Sequence, residues 1–175
     1  MKKIQLRAIE PSDINLIYVW ENDREVWEAS NTFVPFSKCT LEQYILSAVS
    51  SDIYSARQLR LMIDLCEDNA KTTIGTIDLF DFDPHNSRAG VGILIDGKER
   101  GKGYAKPALA ELIDYAFKTL QIHQLYCNIN QKNKRSLGLF RNAGFQIAGV
   151  KKEWLRIENA FEDECLLQLI NNKSE

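Results

Sequence analysis

Arg100-Gly101-Lys102-Gly103-Tyr104-Ala105 stands between an apolar run, Ala89-Gly90-Val91-Gly92-Ile93-Leu94-Ile95, and a stretch of helical periodicity. The run before it has the length of a strand. After it, Ala105, Ala108, Leu109, Leu112, Ile113, Ala116, Phe117 and Leu120 recur on one helix face. A glycine-rich turn that opens a helix directs several free backbone N–H groups at one place, and the helix dipole favours an anion there. Pro107 suits a first turn, whose N–H would be unpaired in any case. Strand, glycine turn and helix in this order predict a phosphate site.

Spacing narrows the phosphate. A dinucleotide fingerprint would need a third glycine where Lys106 stands, and no Gly-Lys-Ser/Thr follows for a triphosphate loop. The remaining pattern, R-x-x-G-x-A, resembles the pyrophosphate loop of the GNAT family of N-acetyltransferases. A second segment strengthens the resemblance: Asn133-Lys134-Arg135-Ser136-Leu137-Gly138-Leu139-Phe140-Arg141-Asn142-Ala143-Gly144-Phe145 is similar to that family's N-x-x-S-x-x-L-Y-x-x-x-G-F. Asn133 is suited to cap a helix, Leu137, Phe140 and Ala143 share one helical face, and Gly144 is a natural helix stop.

The likeness extends along the chain. Ile4–Glu10 with Pro11-Ser12-Asp13, then Trp20-Glu21-Asn22-Asp23, resemble the branch of spermidine and ribosomal-protein N-terminal acetyltransferases. So does Gly149–Trp154, leading to Asp163-Glu164 and a last apolar strand.

Composition fits a compact cytoplasmic enzyme, with 26% charged and 45% hydrophobic residues. The 175 residues suffice for one acetyltransferase domain over residues 1–175. No apolar run has membrane-spanning length, and Arg and Glu soon after Met1-Lys2-Lys3 exclude a signal-peptide core. Cys39, Cys66, Cys127 and Cys165 lack metal-type spacing, and His85 and His123 form no cluster, so no metal is expected. A net charge of −2 speaks against nucleic acid as the main partner. A homo-oligomer stays open.

Elements alternate without linker or repeat. Strands are expected over residues 3–9, 60–65, 74–82, 89–95 and 124–130, with two more at the end. Ser12 or Asp13 is expected to cap a first helix bearing Ile14, Ile17 and Tyr18, stopped at Asn22-Asp23 before a short turn over 24–29. Thr40 is expected to cap a helix over 41–49, and residues 67–70 to form a hairpin turn. The resulting fold class is α/β (α+β), a mixed, largely antiparallel sheet flanked by helices.

The resemblance implies acetyl-CoA as co-substrate and a direct transfer to a primary amine. The loop Arg100, Gly101, Lys102, Gly103, Tyr104 and Ala105 would hold the pyrophosphate, with Arg100 and Lys102 as supporting cations or a solvated pair. Ile93, Leu94 and Ile95 would flank the pantetheine arm, and a backbone N–H near Leu94 would serve the oxyanion. Asn133, Ser136 and Phe140 complete the coenzyme set. Gly90 and Gly92 either admit a neighbouring chain or pack the sheet tightly.

Where the family commonly has a tyrosine to protonate the leaving thiolate, this chain has Phe140. Water is the favoured substitute, since the thiol has a pKa of about 8.5; Tyr104 or Tyr126, or a binding module without catalysis, are the alternatives. Asp78, flanked by Ile77 and Leu79, reads as a lone acid with a raised pKa, suited to be the base. Many family members carry a glutamate on the next strand; Gly90 lies near that position here. Trp27, Glu28, Phe36 and Asp78 are expected to bind the acceptor, and Glu21, Glu25 and Glu28 recur at helical spacing as an acidic cluster or a solvated face. Polyamine or another small amine leads as acceptor, ahead of a peptide N-terminus and an aminoglycoside.

Overall fold

The computed structural model describes residues 2–30, 32–68 and 70–172, without the side chains of residues 28 and 29. Seven strands form one sheet: β1 (Lys2–Ala8), β2 (Leu59–Glu67), β3 (Ala70–Asp83), β4 (Arg88–Ile95), β5 (Gln124–Asn130), β6 (Gln146–Ile157) and β7 (Ala160–Ile170). Their order is β1-β2-β3-β4-β5-β7-β6, antiparallel everywhere except between β4 and β5. The helices are α1 (Ile14–Glu21), α2 (Arg24–Ser30), α3 (Lys38–Ser50), α4 (Ile53–Ala56), α5 (Ala105–Lys118) and α6 (Lys134–Asn142).

Alternation along β2 shows how both sheet faces are covered. Met62 and Ile63 point to opposite sides and neither has any exposure. Ile63 joins the larger core with Leu109, Leu112 and Ala116 of α5 and Leu137 and Phe140 of α6. Met62 joins Ile17 and Trp20 of α1 and Leu41 and Ile45 of α3. Each fully buried aliphatic side chain contributes about 2 kcal/mol.

Three local expectations need correction. Ser37 caps α3, its Oγ accepting from Thr40 N–H at 3.0 Å, so the helix starts three residues before the expected Leu41. Asp13 holds the N-cap position of α1 but makes no side-chain capping bond; its carboxylate instead accepts from Glu10 N–H at 2.8 Å and from Arg7 at 2.7 Å. β3 begins at Ala70, because Lys71, Thr72 and Thr73 pair with Cys66, Leu65 and Asp64 although they lack apolar alternation. Helix α4 is too short to show a periodicity; Asp52 caps it, accepting from Ser55 N–H at 2.8 Å.

The sheet opens where β4 meets β5. Their parallel ladder consists of Arg88–Gln124, Ala89–Leu125 and Gly90–Tyr126. Beyond Gly90, β4 runs on to Ile95 and into α5, whereas β5 stays paired with β7 as far as Asn130–Glu164 and leads to α6. The strands part, and a wedge is left between them.

Candidate active site

A cleft of about 780 Å³ occupies that wedge. One wall is the free edge of β4, from Gly92 to Ile95; the N-terminal turns of α5 and α6 form the far end. Gly101 and Gly103 have φ of +83° and +88°, which glycine alone adopts without strain, and a Cβ at either would meet nothing within 4 Å. Both glycines line the cleft. Arg100 N–H is bonded to Asp96 O at 3.1 Å and Ala108 N–H to Tyr104 O at 3.3 Å. The N–H groups between them open the helix toward the cleft.

Asp96 anchors this loop. Its Oδ1 accepts from Lys98 N–H at 2.9 Å and its Oδ2 from Trp20 Nε1 at 2.8 Å. The Trp20 bond holds its carboxyl below the usual range, against a smaller opposing effect of burial. At the α6 end, Asn133 Oδ1 caps the helix by accepting from Ser136 N–H at 3.0 Å. Lys106, Lys134 and Arg135 add positive charge along the same end of the cleft.

The opposite end is acidic. Arg60 of β2 and Asp78 of β3 are cross-strand partners, and Asp78 pairs in turn with Gly92 of β4. Arg60 Nε donates to Asp78 Oδ1 at 2.6 Å, and a terminal nitrogen donates to Glu21 Oε1 at 2.6 Å. Its guanidinium carbon lies 5.2 Å from the Tyr44 ring centroid. Burial disfavours the charge on Arg60, but Asp78, Tyr44 and Glu21 outweigh it and hold the guanidinium above its usual pKa. Burial likewise pushes the Tyr44 hydroxyl up. Nearer the mouth, Glu25 accepts from Arg100 at 3.0 Å.

Residues 3–146 match the acetyltransferase (GNAT) domain family. The chain belongs to the GNAT family. Acetyltransferases of this family take their acetyl group from acetyl-CoA, and the protein is an N-acetyltransferase of that type. A spermidine N(1)-acetyltransferase of Vibrio cholerae is 24% identical to it over 98% of this chain and 95% of the relative. An alanine N-acetyltransferase of ribosomal protein uS5 from Escherichia coli K12 is 35% identical over 79 residues, 45% of this chain and 41% of the relative. The fold is that of the crystal structure of the V. cholerae spermidine N-acetyltransferase with CoA and spermine, at a TM-score of 0.86, 24% identity and 95% coverage of both chains.

As a GNAT site, the cleft fits the coenzyme: an N–H-lined loop for phosphates, basic side chains beside it, and a free strand edge for an amide-bearing arm. Ile93, Leu94, Ile95, Arg100, Gly101, Gly103, Tyr104, Ala105, Asn133, Ser136 and Asp78 all line it. Lys102 does not; it pairs with Glu99 at 3.0 Å beside a separate hollow of about 260 Å³. Phe140 does not either. It is 3% exposed and packs edge-on against Phe145 with ring centroids 5.1 Å apart, because the apolar face of α6 turns to the core.

Of the residues expected to bind the acceptor, Trp27 and Phe36 are held by α1 and its end and lie outside the lining. Trp27 Nε1 donates to Glu21 O at 2.8 Å, and the Phe36 backbone is held by the Asn22 amide while its ring packs on the smaller core. The Glu28 side chain lies outside the described residues. Asp78 is not the lone acid its neighbours suggested, since Arg60 is bonded to it. The two glycines divide: the Phe80 ring covers Gly90, whereas Gly92 opens into the cleft. Tyr104 lines the cleft, with its hydroxyl accepting from Lys2 Nζ at 3.2 Å; Tyr126 points to Asp81 at 3.4 Å.

Sequence reasoning missed Arg60, Asp96, Lys106 and Arg135. Arg60 was hidden as the polar member of an alternating strand. Lys106 directly follows the first motif and Arg135 holds a variable position of the second, and that both line one cleft emerges only from the way α5 and α6 converge.

Proposed function

We propose that this GNAT enzyme acetylates a primary amine of a polyamine or a related small amine, by direct transfer while both substrates occupy the cleft. The opposite furnishing of the cleft's two ends carries the reading. The loop end offers backbone N–H groups with Lys106, Lys134 and Arg135, and suits the coenzyme's phosphates. At the other end three lining carboxylates (Glu21, Glu25 and Asp78), with Asp23 behind them beside Arg100, meet two guanidiniums, Arg60 and Arg100, which leaves negative charge in excess for a cationic acceptor.

Direct transfer is supported by the cleft's chemistry. Among the described lining residues there is no cysteine or histidine. Cys127 and Cys165 are buried, and burial pushes the Cys127 thiol up to about 12, which makes it a poor nucleophile. The amine must lose its proton before attacking the thioester carbon, since alkylamines have pKa values of about 10. Asp78 would receive that proton directly or through water: Arg60 bonds Oδ1 closely at 2.6 Å but Oδ2 only at 3.4 Å, and Asp78 lines the cleft beside Gly92. Phe140 supplies no proton to the leaving thiolate, so that role falls to water.

Release of CoA thiol should be measured with spermidine, with peptides carrying a free N-terminal alanine, and with an aminoglycoside. Spermidine is expected to give the highest kcat/KM. A peptide preference would favour the N-terminal activity of the uS5-modifying relative, and coenzyme binding without transfer to any amine would reduce the protein to an acyl-CoA-binding module.

A further inference from the structure

Arg100 belongs by sequence to the coenzyme loop, yet its guanidinium lies on the acceptor side. Nε donates to Ile95 O at 2.9 Å, one terminal nitrogen donates to Glu25 Oε2 at 3.0 Å, and the other lies 3.8 Å from Asp23 Oδ2. Asp23 and Glu25 flank the start of α2, and both Glu25 and Arg100 line the cleft. Gly101, the next residue, begins the anion-binding turn. One cation thus stands between the glycine turn and an acidic pair of which Glu25 lines the cleft.

We propose that Arg100 couples the two sites by exchanging partners. Phosphate oxygens docking in the loop draw the guanidinium off Glu25 and Asp23, and the released carboxylates then hold an ammonium of the acceptor. Without coenzyme, Arg100 and the acceptor compete for the same carboxylates. The inference rests on the cationic acceptor proposed above. Glu25 is 77% exposed and Arg100 27% exposed, so each exchanged pair is screened by water and the coupling is modest.

Calorimetric titration of spermidine and of CoA, which lacks an acetyl group and cannot turn over, tests this. CoA should tighten spermidine about two- to fivefold, and spermidine should tighten CoA by the same factor, because binding linkage is reciprocal. In Arg100→Gln, spermidine should bind free enzyme more tightly than wild type does, with no further response to CoA. A second arm needs no acceptor: Glu25→Gln should bind CoA about two- to fivefold more tightly than wild type, since Arg100 has lost a competitor. Equal CoA affinity in wild type and Glu25→Gln overturns the coupling, as does an undiminished spermidine response in Arg100→Gln. If spermidine fails to bind with or without CoA, the polyamine reading falls, and the Glu25→Gln comparison still decides the exchange.

Discussion

Asp78 and Arg60 face each other across the β2–β3 ladder, and Asp78 Oδ1 lies 2.6 Å from Arg60 Nε, with both side chains about 15% exposed or less. Removing the guanidinium leaves Asp78 and Glu21 close together without their shared partner. Arg60→Met should therefore cost about 3 kcal/mol of stability by urea denaturation, with Arg60→Lys intermediate because a single ammonium cannot match the fork. Asp78→Asn should keep the fold and lower kcat/KM, most at acidic pH, where less of the amine is neutral. Unchanged activity across pH would leave Asp78 with a structural role only.

Gly90 and Gly92 give opposite expectations from the same substitution. A Cβ at Gly90 would fall 2.3 Å from the Phe80 ring, so Gly90→Ala should cost about 1–3 kcal/mol. At Gly92 the methyl would lie 3.9 Å from Asp78 Oδ2, an ordinary contact. Gly92→Ala should keep its thermal midpoint and raise KM for the amine or the coenzyme. Equal melting temperatures for the two variants would contradict this division.

The loop glycine at 103 is required by backbone conformation, while the space around it is open. Gly103→Val should cost about 1–2 kcal/mol, because φ of +88° is strained for a residue with a Cβ. It should also weaken CoA about tenfold or more, since one or two charge-assisted hydrogen bonds are worth about 1.5–3 kcal/mol each. A folded variant with unchanged CoA affinity would take the loop out of the site.

Phe140 is a packing residue in this structure. Phe140→Leu should lower stability by about 1 kcal/mol through loss of the edge-on contact with Phe145, and keep most of kcat. Phe140→Tyr should also destabilise, its hydroxyl entering an apolar environment without a partner. A large rise in kcat for the tyrosine variant would mean that this side chain reaches the thioester after all.

Arg7 makes stability depend on acid pH. Burial opposes ionisation of Asp13, but the Arg7 side chain and Glu10 N–H outweigh it, and the carboxyl titrates below its ordinary value of 3.8. A lowered folded-state pKa contributes stability that is complete above the unfolded value and drains away as pH falls through the folded one. Unfolding free energy should decline from about pH 5 downward, more steeply than in Asp13→Asn. Parallel profiles would exclude Asp13 as a source of the decline.

Much of the strand–loop–helix pattern was legible because its signals are local. The apolar alternation of Arg60–Leu65, the helical face from Ala105 to Leu120 and the glycines at 101 and 103 each report a conformation that neighbours in sequence decide. Thr40 misled because Ser37, three residues earlier, offers an equally good hydroxyl, and the nearer cap to the start of the helix prevailed. Asp78 misled because its partner, Arg60, is distant in sequence and becomes adjacent only through strand register.

By itself, the sequence determined the family-like order of elements, the two motif segments and a glycine turn at a helix opening, since backbone conformation and helix periodicity are written in neighbouring residues. Tertiary structure alone decided which motif residues face the cleft. The parting of β4 from β5 after Gly90 creates the space, the rotation of α6 sends Phe140 inward, and the convergence of α2 on the loop places Glu25 on Arg100. Those outcomes depend on how whole elements pack and register against one another, and no single segment carries that information.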